Sequence, residues 1–218
     1  MLKNLHALIL GGTGATGKEL LKLLLNDPSY IKVSIFVRRK PAIKHKKLYI
    51  HEIDFSRLNY YKSLIDGNVL FSALGTTLKD AGSRSQQYQV DYTYQYEFAK
   101  MASDNGVEIF SLVSSAGANP KSIFFYPRIK GELEQAINNL AFKKIQIFQP
   151  SILIRQPELM RKGEKIGIKI FKILNRIGLL KSQKPLSVLF LAKKMIGEIK
   201  SNKRLSSSTY KLKDIISD

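Results

Sequence analysis

The chain has 218 residues and 24.7 kDa, is 44% hydrophobic and 24% charged, and contains no cysteine. That balance excludes a disordered or fibrous chain, and the missing thiols exclude disulfide scaffolds, thiolate zinc sites, iron–sulfur clusters and cysteine nucleophiles. The net charge is +19, and residues 151–218 carry sixteen of the cations against five acids, a bias that suits an anionic partner or a lysine-rich solvated surface.

Leu5 to Leu10 predicts a buried strand. It is too short to cross a membrane and ends in glycines rather than a small-residue cleavage site, so the chain reads as cytoplasmic. Gly11-Gly12-Thr13-Gly14-Ala15-Thr16-Gly17 forms a tight turn, and the leucines at 20, 21, 23, 24 and 25 form a helix that Asp27-Pro28 stops. Ile31 to Val37, Lys47 to Glu52 and Asn68 to Leu74 are the next strands. A helix follows over Ser85 to Asn105, ended by Gly106. Val107 to Val113 and Lys144 to Phe148 are strands on either side of a helix from Tyr126 to Leu140.

Strand and helix alternate throughout, which implies parallel strands joined by right-handed crossovers: a doubly wound α/β fold with a parallel sheet. Beyond Gln149-Pro150, Leu159 to Leu180 and Pro185 to Ile199 predict helices and Ser206 to Leu212 one short strand. The expected organisation is a single domain. Residues 1–150 form a nucleotide-binding core, and residues 151–218 a small helical cap packed on the sheet's carboxyl edge.

Gly12-x-Gly14-x-x-Gly17 and Gly11-x-x-Gly14-x-x-Gly17 both fit dinucleotide-binding fingerprints directly between strand and helix. Glycine permits the turn and lets backbone approach a pyrophosphate, while the helix start offers free N–H groups and a positive dipole. Gly12 to Lys18 also opens like a nucleoside-triphosphate P-loop, but Glu19 stands where that motif needs Ser or Thr for magnesium. At the end of the second strand, where an NAD site carries an acid for the ribose hydroxyls, stand Arg38 and Arg39. Cations there suit a 2′-phosphate, so the expected coenzyme is NADP(H) rather than NAD(H). Asp54 is placed to accept from the adenine amino group with Phe55 flanking the ring, and Leu74, Gly75 and Thr76 to border the coenzyme's ribose.

Tyr126 and Lys130 stand at i and i+4 on one helix face, and Ser114-Ser115 ends the preceding strand at the ligand-binding edge of such folds. A lysine cation about 4 Å from a phenol can favour its ionised form by up to roughly 4 kcal/mol at an effective dielectric near 20. The chemistry this suggests is hydride transfer to a small carbonyl substrate. Tyr126 delivers the proton, Ser115 holds the carbonyl oxygen, and Lys130 tunes the phenol and binds the nicotinamide ribose.

With these residues in place the chain resembles the atypical short-chain dehydrogenase/reductases, specifically the Tat-interacting-protein-like oxidoreductases. The likeness runs through the Gly11 to Gly17 turn, Val37-Arg38-Arg39, Asp54-Phe55, Leu74-Gly75-Thr76-Thr77, Val90-Asp91, Ser114-Ser115-x-Gly117-Ala118 and Tyr126-x-x-x-Lys130-Gly131-Glu132. It implies a Rossmann-like fold, NADP(H) binding and a Ser–Tyr–Lys reductase site. Gln149 and Ser151 depart from the family's Arg-Pro-Gly-x-Leu segment, Pro127 directly follows Tyr126, and Asp91 stands where many short-chain enzymes carry a relay asparagine.

The cations at 162, 165, 169, 172 and 176 line one face of a predicted amphipathic helix. A solvated lysine stripe is one reading; peripheral contact with an anionic membrane through residues 162–176 is the other, and nucleic acid is not an expected partner. His6, His45 and His51 lack carboxylate or thiol neighbours, so no metal site is assigned. The alternative to an enzyme is an NADP(H)-binding regulator that performs no hydride transfer.

Overall fold

The computed structural model describes residues 3–154, 156, 185–201 and 207–217. A seven-stranded sheet, parallel at every pairing, runs through its centre. Its strands are β1 (Leu5–Leu10), β2 (Tyr30–Val37), β3 (Leu48–Glu52), β4 (Val69–Ser72), β5 (Ile109–Val113), β6 (Lys144–Gln149) and, beyond two short strands, β9 (Ser207–Lys211). In space the order is β3-β2-β1-β4-β5-β6-β9. The order reverses at β1 and β4, so the crossovers starting from β1 and β4 leave in opposite directions and a crevice opens above their carboxyl ends.

Alternation along each strand divides the apolar side chains between two cores. Ala7, Ile9, Val33, Ile35 and Phe71 face one side, where α1 (Ala15–Asn26) lies; Leu8, Leu10, Phe36, Leu70, Phe110 and Ile147 face the other, covered by α4 (Tyr94–Asp104) and α5 (Phe125–Asn138). Strands buried on both faces read as nearly unbroken apolar runs, which is why they are legible in the sequence. Asp54 accepts from the Ser56 N–H and opens irregular helical turns over Phe55–Leu64. Two short helices, α2 (Leu78–Ala81) and α3 (Arg84–Tyr88), precede α4.

The helix predicted over residues 85–105 is present from Arg84 to Asp104 but not as a uniform α-helix. Between α3 and α4 the backbone makes a π turn over Gln89–Thr93, a wider turn of the kind that concentrates at functional sites. The described residues of the chain's end pack against the core and extend the sheet, and most of the expected cap lies outside them. Leu153–Ile154 (β7) pairs with Leu186–Ser187 (β8), α6 (Val188–Lys200) buries Leu191, Ala192 and Met195 in the α1-side core, and β9 extends the main sheet beside β6. A last helix, α7 (Leu212–Ile216), follows directly. The predicted helix Leu159 to Leu180 and the basic stripe at 162–176 lie outside the described residues.

Candidate functional site

Two glycines make the first turn what it is. Gly11 has φ +82, and a Cβ on it would stand 2.6 Å from the Ala73 carbonyl carbon, where β4 ends. Gly17 lies buried against the Gly11 carbonyl, so closely that any side chain would drive the turn apart. The Gly14 N–H donates to the Gly11 carbonyl at 2.9 Å, and Gly14 is the N-cap of α1 with no side chain capping the helix. The opening N–H groups of α1, which have no partner inside the helix, are left for a ligand. Thr13 and Gly14 are exposed, Ala15 is half-buried and Thr16 is buried.

Arg38 and Arg39 are exposed at the end of β2 and, with Thr13, line a cavity of about 620 Å³. The arginine doublet and the glycine turn therefore open onto one space. The Asp54–Phe55 expectation fares differently: Asp54 spends its carboxylate on Ser56 and Arg57, and Phe55, only 6% exposed, stacks in the core near Tyr94 rather than flanking a ring in the groove. An aromatic residue straight after a helix cap is carried inward by its own helical turn, so its neighbour's exposure did not transfer to it. Leu74 likewise packs its side chain on the core, while its backbone borders Gly11.

Gly75 and Thr76 meet the next part of the site. The Thr76 N–H donates to Asp91 Oδ2 at 3.2 Å, and a Cβ on Gly75 would lie 3.2 Å from Asp91 Oδ1 and 4.0 Å from Lys130 Nζ. Asp91 and Lys130 are both buried and form an ion pair at 2.9 Å. Burial alone would push the Lys130 ammonium down, but Tyr126, Asp91 and Glu134 outweigh that cost and hold it above the ordinary lysine range. Tyr126 sits in the first turn of α5, 39% exposed, with Lys130 Nζ 5.8 Å from its ring centre. The cation thus faces both the Tyr126 side chain and a buried carboxylate. Pro127 is accommodated because the N–H it lacks falls in the unpaired first turn.

Ser114 is buried and its hydroxyl donates to Glu134 Oε1; Gln149 Nε2 donates to both Glu134 oxygens at 3.0 Å. Burial raises the Glu134 carboxyl, opposed by those two hydrogen bonds and the Lys130 charge. Ser115 is half-buried, and its hydroxyl donates to the adjacent Ala116 carbonyl at 3.3 Å. The loop that follows folds onto α5 through the Asn119 N–H, which donates to the Pro127 carbonyl at 3.0 Å. Asp91, Glu134 and Gln149 are the residues that pattern reading did not assign. Glu134 stands four residues after Lys130 and was open to the spacing argument, whereas Asp91 reaches Lys130 only through the folded π turn.

The NAD(P)H-binding family profile matches residues 11–144. FMP52-1, a mitochondrial protein of Scheffersomyces stipitis, is 36% identical over 178 residues, covering 78% of this chain and 77% of that protein. HTATIP2 of Rattus norvegicus is 34% identical over 174 residues, covering 78% and 72%. The chain belongs to the atypical short-chain dehydrogenase/reductases. Among solved structures, this reductase-family chain resembles MoeE5 in complex with UDP-glucuronic acid and NAD (TM-score 0.71, 14% identity, covering 95% of this chain and 76% of that one). It also resembles WbmG of Bordetella bronchiseptica in complex with NAD (TM-score 0.69, 15% identity, covering 96% and 72%). At such identity the likeness shows the fold: a Rossmann-like α/β architecture. The cytoplasmic expectation is overturned by the relatives. The FMP52 proteins of Scheffersomyces stipitis, Emericella nidulans and Aspergillus fumigatus are all named mitochondrial, and a missing leader pattern was too weak a ground for a compartment.

Proposed function

We propose that the chain is an NADP(H)-dependent oxidoreductase that reduces a small carbonyl compound. The observation that carries this reading is the unbroken line of contacts along the carboxyl edge. Gly11 abuts Ala73 and Leu74, Gly75 abuts Asp91 and Lys130, and Lys130 lies under Tyr126. A dinucleotide is the ligand class whose length such a line suits: pyrophosphate at the glycine turn, 2′-phosphate at Arg38 and Arg39, nicotinamide ribose at Gly75, Thr76 and Lys130. The cradle fits because the bare Gly11 and Gly17 let the turn close against the β4 exit and the start of α1, where a Cβ would strike backbone, and so bring the helix's unpaired N–H groups to the groove.

When bound, the coenzyme supplies a hydride. In this reading the Ser115 hydroxyl donates to the carbonyl oxygen, and Tyr126 delivers the proton that the developing alkoxide takes up. Lys130 binds ribose hydroxyls and places a positive charge beneath the phenol. Ser114, Glu134 and Gln149 brace the strand end that carries Ser115. A second reading, a coenzyme-binding regulator without hydride transfer, is favoured by the neutralisation of Lys130 by Asp91. NADPH consumption across a panel of aldehydes and ketones decides between them. Turnover that disappears in Tyr126→Phe while NADPH binding persists is expected of the enzyme; binding with no turnover of any carbonyl makes it the regulator.

A further inference from the structure

Resting on the oxidoreductase reading, we propose that Asp91 is a positioning residue for the coenzyme site, clamping the Lys130 ammonium and the Gly75-Thr76 loop into one preset ribose-binding surface. Both carboxylate oxygens are used, Oδ1 on Lys130 Nζ at 2.9 Å and Oδ2 on the Thr76 N–H at 3.2 Å. The Asp91 main-chain carbonyl accepts from Gln95 Nε2 at 2.9 Å, and Gln95 Oε1 accepts from the Ser72 hydroxyl at 2.7 Å. Three elements far apart in sequence, the β4 exit, the π turn and α5, thus meet at one carboxylate. The absent side chain of Gly75 leaves the space in which the pair sits.

A buried ion pair is poor value as mere stabilisation, since apolar residues of similar volume often do as well. Its use here is geometric. A lysine on a long stem has many rotamers, and a fixed counter-charge selects one of them before the coenzyme arrives, which removes part of the ordering cost of binding. Replacing Asp91 by Asn keeps the shape but leaves the ammonium buried without a full charge to answer it, and burial then drives it towards the neutral form. The titratable groups facing Lys130 are Asp91 from the π turn and Tyr126 and Glu134 from α5; the β4 exit loop adds only Gly75 and Thr76.

The test is a double-mutant cycle on NADPH affinity with Asp91→Asn, Lys130→Met and the two combined, from pH 7 to 9.5, above the titration of the 2′-phosphate near pH 6. Asp91→Asn is expected to weaken NADPH about tenfold at pH 9.5, the loss of one charge-assisted contact. The loss grows with pH while the unsubstituted protein stays level, and Asp91→Asn costs nothing further once Lys130 is Met. Equal losses in both backgrounds, or no loss, overturn the clamp. If Asp91→Asn does not fold, recovery of folding in the combined variant, with an affinity equal to Lys130→Met, supports the clamp, and continued misfolding overturns it. An unsubstituted protein that takes up no NADPH refutes the oxidoreductase reading itself, a result distinct from any outcome of the cycle.

Discussion

Arg38 and Arg39 hold no ion pair with an acid among the described contacts and point into the same cavity as Thr13. Charge-assisted hydrogen bonds contribute roughly 1.5 to 3 kcal/mol, so Arg38→Ala or Arg39→Ala is expected to weaken NADPH tenfold to a hundredfold and leave NADH nearly untouched. Titration calorimetry with both coenzymes checks this, and equal losses for the two would remove the arginines from the 2′-phosphate. Gly17→Ala is expected to abolish binding of both, because the added methyl meets the Gly11 carbonyl; unchanged affinity would show that the turn does not hold phosphate. At this scale the sequence was legible wherever chemistry depends on what a residue is. It misled where chemistry depends on where a side chain is sent, as Phe55 goes to the core, and it was silent on the buried Asp91 that Lys130 meets besides Tyr126.

Among the elements, β1, α1 and the glycine turn were readable because apolar runs, glycines and a leucine stripe are local signals. The π turn was not, since a single wider turn leaves no mark on hydrophobic spacing, yet it is what carries Asp91 to Lys130. The strand near the chain's end was readable as a strand but not as a member of the main sheet. Its place beside β6 depends on α6, which crosses α1 with Leu191 and Met195 fully buried. Lys144, on β6, holds that helix's end by donating to the Glu198 and Ser201 carbonyls at 2.7 and 3.2 Å. Leu191→Ala is therefore expected to cost about 2 to 5 kcal/mol, the range for emptying a closed core position. An unfolding free energy, taken from urea titration, that falls by under a quarter of that would mean α6 contributes little to the domain.

For the molecule as a whole, acid is the expected weak point. His6 on β1 shares a hydrogen bond with the Ser34 hydroxyl on neighbouring β2, and burial, with Lys32 nearby, lowers its pKa from 6.5 to about 4. His51, stacked on Phe36, is lowered for the same reasons. The unfolded chain therefore takes up protons first: stability is complete above pH 6.5, falls as the pH drops towards 4, and loses nothing more to His6 below that. The full His6 shift corresponds to about 3 kcal/mol, and its partial contact with solvent reduces this to roughly 2. Urea unfolding at pH 7 and 4.5 measures it, with His6→Gln expected to flatten the difference; an unchanged slope would assign acid sensitivity elsewhere.

The amino-acid sequence by itself determined the alternating strands and helices, the glycine turn, the arginine doublet and the Tyr126–Lys130 spacing, because each is written in neighbours a few positions apart. Only the tertiary structure decided that Lys130 pairs with Asp91, that Glu134 takes up Ser114 and Gln149, and that the last strand joins the sheet. Those contacts join segments that approach one another only after the parallel strands are ordered, and in a buried site the nearest opposite charge, not the nearest residue in the chain, sets where a cation comes to rest.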